Sequence, residues 1–372
     1  MQLTQRQIDY CMECGVCTGS CPISKIIPEF SPRQMIKRTL MQPMEELLQS
    51  RELWACLSCA RCSERCPVEI DFPTFIRLFR EKARNLESLP LESHHGILQS
   101  VAQIQAFGDT KQKRTVWAEG VGEFAETGDV LYFVGCLPYF DVTFRYLNIT
   151  PTDGAKNVLR LLNKAGVTPA IRNDECCCGH DALWSGQVDV FQRLAEKNIE
   201  MIRKSGAKKV LFSCPEGYMT FKRDYPKHFG ELGFEVQHLT EFLAEKISEK
   251  NISFTNGNPE ILTYQDPCRL GRWENIYDAP RNILEAIPGI ELKEMGRSRE
   301  NTLCCGTSAW MECSSCSKAQ QVERLEEAKA TGATCLITAC PKCQIHFICA
   351  QENTDVNMSV VDIYTYLANR LA

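Results

Sequence analysis

Two runs of four cysteines with identical spacing dominate the front of this 372-residue chain: Cys11, Cys14, Cys17 and Cys21 before Pro22, then Cys56, Cys59, Cys62 and Cys66 before Pro67. Every cysteine of the second run lies 45 residues beyond its counterpart. Eight thiols in the first 66 residues oblige this segment to fold around whatever the sulfurs hold. Zinc needs only four ligands in paired C-x2-C knuckles, and explains neither the three-plus-one spacing nor the proline after each last cysteine. Disulfides call for an exported chain, yet the opening Met-Gln-Leu-Thr-Gln-Arg-Gln has no apolar run of a signal peptide. In a reducing cytoplasm, the expected location, 22 cysteines read as thiolate ligands.

With 44% hydrophobic and 24% charged residues, the chain has the composition of a globular protein of two or three domains. A formal charge of -5, without a long Lys or Arg run, gives nucleic acid nothing to bind. No stretch of about eighteen uninterrupted apolar residues offers a membrane span. Any membrane contact is therefore expected to be peripheral docking.

The C-x2-C-x2-C-x3-C-P spacing resembles that of two-cluster bacterial ferredoxins, in which three close thiolates hold one cubane and the fourth crosses to the other. That resemblance assigns Cys11, Cys14, Cys17 and Cys66 to one [4Fe-4S] cluster, and Cys56, Cys59, Cys62 and Cys21 to a second. Between the runs, Ser31 and Pro32 read as the cap and first position of a helix, Met44 to Glu52 as a second short helix, and Phe72 to Asn85 as a third after Pro67. These helices make an all-helical ferredoxin domain the expectation. Ser88 to Gly128 reads as a polar, partly helical connector.

The remainder is an internal repeat. Apolar strands Val130–Cys136 and Ile261–Cys268 each end on a cysteine. Helices follow at Gly154–Ala165 and Pro280–Ala286, then Cys177-Cys178-Gly179 and Cys304-Cys305-Gly306, and then buried strands ending in Cys214-Pro215 and Cys340-Pro341. Corresponding cysteines lie 132, 127 and 126 residues apart (136 to 268, 177 to 304, 214 to 340). Strands alternating with helices imply parallel sheets, with the cysteines at the strands' carboxyl ends where open α/β sheets bind ligands. The second copy adds Cys343. Five thiols exceed what one tetrahedral zinc or one cubane needs, so a cluster with extra protein bonds, or a cluster plus a free thiol, fits better.

The doubled pattern of a cysteine, Cys-Cys-Gly and Cys-Pro-x-Cys resembles the CCG repeats of HdrB, a component of heterodisulfide reductase. The run Cys11 to Pro22 resembles the HdrC component, and a chain carrying both looks like the fusion found in HdrD. The resemblance implies an α+β multidomain protein: a mainly helical two-cluster ferredoxin domain (1–86), a connector (87–128), and two pseudo-symmetric α/β CCG units, the first incomplete (129–256) and the second complete (257–372). It implies two cubane clusters and a noncubane [4Fe-4S] cluster on Cys268, Cys304, Cys305, Cys340 and Cys343, with Cys304, Cys305 and Cys343 at the catalytic step. The first copy offers Cys136, Cys177, Cys178 and Cys214, but Gly217 stands where the second has Cys343. A noncubane cluster, a cubane, zinc or nothing remain open there, with His180 or Glu216 available to complete a site.

The function implied is an iron-sulfur oxidoreductase subunit that passes single electrons through cubanes to a CCG site for thiol and disulfide chemistry. The alternative is an electron-relay subunit of a flavin-based, even bifurcating, or membrane-linked complex. No G-x-G-x-x-G turn follows a strand, so hydride handling falls to a partner, either a flavin protein like the HdrA component of heterodisulfide reductases or another electron donor. Cys176, Cys313, Cys316, Cys335 and Cys349 are left over. The first reads as a substitute ligand, Cys313 and Cys316 as an incidental C-x2-C, and Cys335 and Cys349 as core. Lys342 and Arg269, beside the ligands, read equally as cluster-steadying charges or ordinary surface ones.

Overall fold

The computed structural model describes residues 9–109, 111–352 and 354–372. At the front, capping side chains set the helices. Ser31 Oγ accepts the Gln34 N–H (3.2 Å) at the head of helix Pro32–Met41, and Asp71 accepts the Thr74 N–H (3.1 Å) at the head of Phe72–Arg84. The expected Met44–Glu52 helix is split into Met44–Leu48 and Glu52–Ala55. Ser50 Oγ donates to the Glu52 carboxylate (3.1 Å) at the break. Among the described residues every regular element before Phe107 is helical.

Behind this segment stand two parallel sheets. The first has the order β1 (Val130–Phe133), β2 (Lys209–Phe212), β3 (Glu235–His238). The second has the order β5-β4-β6-β7, with β4 Glu260–Gln265, β5 Ile290–Leu292, β6 Cys335–Thr338 and β7 Ser359–Asp362. The central strands are buried over Val210–Phe212, Leu262–Gln265 and Cys335–Thr338, as strands covered on both faces are. The first sheet carries only a trace of the fourth strand: Ala170 donates to Val130 O (2.7 Å) and accepts from the Tyr132 N–H (3.0 Å), the place β5 holds in the second.

Both opening strands stop short of their cysteines. In the first unit the Glu175 carboxylate takes the Val134 and Gly135 N–H groups (3.0 and 2.8 Å), so the ladder ends at Phe133. In the second, Pro267 has no N–H to extend the ladder.

The units pack as a pseudo-twofold pair. Helix Thr152–Lys164 of the first lies on Ile363–Ala368 of the second, and Asp278–Glu285 of the second lies on Leu239–Ser248 of the first. These are reciprocal contacts of the kind a symmetric dimer makes. Tyr132 and Tyr264, 132 residues apart, are both buried at this junction.

Candidate metal centres

The front helices gather their cysteines around two cavities. One, of about 440 Å³, is lined by Cys11, Cys14, Cys17, Cys62 and Cys66; the other, of about 320 Å³, by Cys21, Cys56, Cys59 and Cys62. The fourth cysteine of each run thus faces the first three of the other. Cys14 is exposed, whereas Cys21, Cys56, Cys59 and Cys62 are buried, so one cavity lies at the surface and the other inside. Burial pushes the Cys56 thiol up to about 12 and raises Cys62 well above the usual thiol value. Arg80, fully buried, donates to the carbonyls of Leu53, Trp54 and Cys56, and to that of Trp184 in the first unit (2.7–3.2 Å), tying the inner run to the sheets.

The inner run also meets the second unit directly. Cys59 is held low because the Cys304 thiol donates to it and Arg272 lies beside it. Arg272 Nε donates to Cys59 O (2.6 Å), Arg269 and Trp273 donate to Ser58 O (3.0 and 3.1 Å), and Ser58 Oγ meets Ser308 Oγ (3.3 Å). Arg269 and Arg272 are 3% and 9% exposed, so the reading of Arg269 as a surface charge is corrected.

Each unit builds its sulfur set the same way. The glycine after the paired cysteines has a positive φ, +80° at Gly179 and +85° at Gly306. A Cβ there would come within 2.9 Å of the Phe191 ring or of Ser317 O, so no other residue lets the turn form. Cys214 and Cys340 stand at the N-caps of helices Pro215–Met219 and Pro341–Gln351, with proline at the first position. In the second unit Cys304 contacts Cys268 and Cys305, Cys305 contacts Cys343 and Cys343 contacts Cys340, with His346 Nδ1 3.3 Å from Cys305 Sγ. Contact with the Cys304 and Cys343 thiols, with His346 beside it, holds the Cys305 thiol well below its usual pKa. In the first unit Cys177 is the acceptor, 3.8 Å from Cys136 Sγ and bonded by Cys178, and is held low in the same way.

Cys136, Cys178 and Cys214 line a further cavity of about 420 Å³, together with His180, Asp181, Glu216, Gly217 and Lys342. Lys342, 5% exposed and not a surface charge, crosses from the second unit to pair with both Asp181 and Glu216. Burial works against its ammonium, yet the two carboxylates hold its pKa well above the lysine norm. Burial lifts Asp181 to about 7 and keeps His180 neutral. His180 Nδ1 meets Thr220 Oγ1 (2.9 Å) and its Nε2 lies 3.6 Å from Glu216.

Soft thiolates converging in desolvated pockets are the donor set that iron-sulfur clusters take. None of the 22 cysteines is in a disulfide. Of the leftover thiols, Cys176 and Cys335 are buried, while half-buried Cys349 accepts from Lys318 Nζ (2.8 Å) and so is not simple core. Sequence reasoning missed Arg80, Arg272 and Glu175. The Lys342 pair did leave a signal, since Glu216 and Lys342 fill equivalent places in Cys214-Pro-Glu-Gly217 and Cys340-Pro-Lys-Cys343 with opposite charge.

Among known proteins, the cysteine-rich domain of the CCG family matches residues 130–222 and 262–348, and the 4Fe-4S dicluster domain matches residues 7–70. HdrD of the dihydromethanophenazine:CoB–CoM heterodisulfide reductase of Methanosarcina mazei is 35% identical over 70% of this chain. The chain spans 63% of that relative's length. An uncharacterized iron-sulfur protein of Methanococcus maripaludis is 30% identical over 92% of this chain and 67% of its own length. In fold alone, a crystal structure of a hypothetical protein from Helicobacter pylori superposes with a TM-score of 0.54 at 11% identity, over 91% of this chain and 66% of the other. No helix among the described residues is long and apolar enough to cross a membrane. The paired CCG units and the dicluster segment ahead of them place this chain in the CCG family of cysteine-rich iron-sulfur proteins, in the form that resembles the HdrD component of heterodisulfide reductase.

Proposed function

We propose that the chain is an iron-sulfur oxidoreductase subunit in which electrons enter at the surface cavity, cross to the inner one and reach the second CCG unit for thiol and disulfide chemistry. The contact between Cys59 of the inner run and Cys304 of the second unit carries this reading, because it sets the two thiol groups side by side. In the proposal Cys11, Cys14, Cys17 and Cys66 hold one cubane, and Cys56, Cys59, Cys62 and Cys21 the other. Cys268, Cys304, Cys305, Cys340 and Cys343 hold the noncubane cluster. When bound, these clusters supply single electrons and, at the last site, an iron open to a substrate sulfur.

The chain's own residues prepare the path. Arg272, Arg269 and Arg61 surround the Cys59–Cys304 contact with positive charge that offsets anionic clusters, and Arg61 also donates to Thr302 O (3.4 Å). Met12, 69% exposed, lines the surface cavity, and Tyr10 and Val16, near it in sequence, are 70% and 44% exposed, an apolar edge suited to a docking donor such as a flavin protein.

In the test, reduced viologen dye is oxidised anaerobically by the purified chain with the coenzyme M–coenzyme B disulfide. Cys343→Ser is expected to lose at least about a hundredfold of that activity and about four irons, while the ferredoxin signals persist in EPR spectra. Disulfide reduction undiminished in Cys343→Ser would overturn the assignment. Gly217 favours a second reading, a relay, because one unit lacks its fifth thiol. In that case dye oxidation occurs only in the assembled complex and with another acceptor.

A further inference from the structure

The two units exchange a histidine and a threonine. In the first, His180 follows Cys177-Cys178-Gly179 and Thr220 stands six residues beyond Cys214. In the second, Thr307 follows Cys304-Cys305-Gly306 and His346 stands six residues beyond Cys340. The exchange goes with the missing thiol. The unit that has Cys343 has threonine after its glycine, and the unit that has Gly217 has histidine there. His346 approaches from its helix, Nδ1 3.3 Å from Cys305 Sγ, a set of five thiols that is complete without it. His180 approaches from the glycine turn a set of four.

His180 is 1% exposed and lines the same cavity as Cys136, Cys178 and Cys214. Its Nδ1 meets Thr220 Oγ1 (2.9 Å) at the first residue of a π-helical turn, Thr220–Asp224, which the unbroken helix Pro341–Gln351 of the second unit lacks. Its Nε2 is buried without a hydrogen-bond partner, since Glu216 at 3.6 Å is beyond hydrogen-bond reach. The carboxylates of Asp181 and Glu216 are already spent on Lys342. With Nδ1 donating to Thr220, Nε2 keeps a free lone pair in a desolvated site. Metal-binding imidazoles are oriented in this way, by a hydrogen bond from the nitrogen that does not bind. At Gly217 an added Cβ would lie 4.0 Å from Cys178 Sγ, so a thiol there would stand beside the paired cysteines, and His180 is two residues from Cys178.

We infer that His180 Nε2 is a ligand of an iron-sulfur cluster in the first unit, in the role that Cys343 has in the second, alongside Cys136, Cys177, Cys178 and Cys214. The inference rests on the iron-sulfur reading proposed above and extends it to the unit which that reading leaves unfilled. Four thiolates already complete a tetrahedral zinc and would leave the histidine without a role, whereas a cluster has further irons to bind. An imidazole adds no negative charge where a thiolate would add one, and in [2Fe–2S] centres of mixed ligation histidine raises the potential. The first unit's centre is therefore expected to take an electron more readily than the same centre held by thiolates alone.

The test uses the iron-loaded full chain, prepared anaerobically with and without [15N]histidine and studied by pulsed EPR in its oxidised and reduced states. The wild-type chain is expected to hold about sixteen irons, about four more than the front segment and the second unit take, and to show a directly bound nitrogen whose coupling changes with the label. His180→Gln should lose that coupling and keep both the front-segment signals and the signal that Cys343→Ser removes. His180→Cys should keep its iron and shift the reduction equilibrium of the first unit's centre toward the oxidised form by about tenfold or more, about 59 mV for one electron. A histidine with a purely structural role would not move that potential. A coupling that survives in His180→Gln and vanishes in His346→Phe overturns the inference, because the nitrogen then belongs to the second unit. Zinc in place of the extra irons, no nitrogen coupling in either state, or an unchanged potential in His180→Cys overturns it as well, and each leaves the iron-sulfur reading of the rest intact. Loss of the front-segment signals from the wild-type chain would remove that reading and the inference together.

Discussion

The two CCG units each carry a parallel sheet, a left-handed glycine and four cysteines at corresponding positions, and differ in what surrounds them. The second is complete in thiols and faces inward, its Cys304 against Cys59 of the front segment. The first has Gly217 in place of a fifth thiol, and a cavity reaches its Cys136 and Cys177. In the proposed function the duplicated scaffold is specialised, the second unit receiving electrons from the front segment and the first not. Equivalent positions that differ in charge include Lys342 against Glu216 and Ser308 against Asp181.

The most severe way to break this comparison is at the junction of the units. Lys342→Met leaves Asp181 and Glu216 facing each other in a buried site without their cation. Removing one partner of a buried ion group costs about 3–5 kcal/mol. An anaerobic denaturant titration is expected to show a loss of that order. The triple variant Lys342→Met, Asp181→Asn, Glu216→Gln should recover most of it, because no uncompensated charge remains. A loss in the single variant below about 1 kcal/mol would mean that this ion group does not hold the halves together.

Much of this asymmetry was visible in the chain before the fold. The interval of 132 residues pairs Tyr132 with Tyr264 as well as Cys136 with Cys268, and the Ser31-Pro32 cap set its helix as expected. What escaped was whatever depends on distant residues meeting. Strand β3, Glu235–His238, is short and partly polar, and Ala170 stands for an entire strand through two backbone bonds that no periodicity announces. Lys342 and Arg269 read equally as surface charges because their partners lie 126 to 211 residues away (216 to 342, 58 to 269). The connector looked polar because its glutamines suggested solvent, and only the fold shows them turned toward Cys177 and Trp310.

A milder contrast lies in the caps of the helices that close each unit. His238 Nδ1 accepts the Thr240 N–H in the first (3.4 Å), and Asp362 accepts those of Tyr364 and Thr365 in the second (3.0 and 3.1 Å). Burial lowers His238 to about 3 and raises Asp362 to about 7. From about pH 4 to 6.5 the unfolded chain has ionised its aspartate while the folded one has not, so Asp362 makes stability fall as pH rises. Over the same range the unfolded chain protonates its histidine while the folded one does not, so His238 makes stability fall as pH drops. The two slopes oppose each other. Asp362→Asn keeps a good cap and removes one of them, so its stability relative to wild type should drop on acidification by up to about 1 kcal/mol per pH unit in that window. Denaturation midpoints at three pH values measure this, and parallel pH profiles for the two proteins would show that Asp362 ionises in the fold as it does out of it.

The gentlest change restores what the first unit lacks. At Gly217 an added Cβ would lie 3.3 Å from the Phe212 ring and 4.0 Å from Cys178 Sγ, and the backbone is helical, so a side chain is accommodated with a small shift of the ring. Replacing a helical glycine favours the fold by about 0.5–1 kcal/mol, and the tight ring contact offsets part of that gain. Gly217→Cys should therefore alter stability by less than about 1 kcal/mol. Its informative effect is spectroscopic. If the absent thiol is what separates the two units, the variant's first site takes on the EPR signature of the second, and the intensity of that signal approaches twice the wild-type value. An unchanged spectrum with an unmodified thiol at 217 would place the difference instead in Glu216, His180 and Asp181, the groups that line the first cavity while Lys342 reaches them from the second unit.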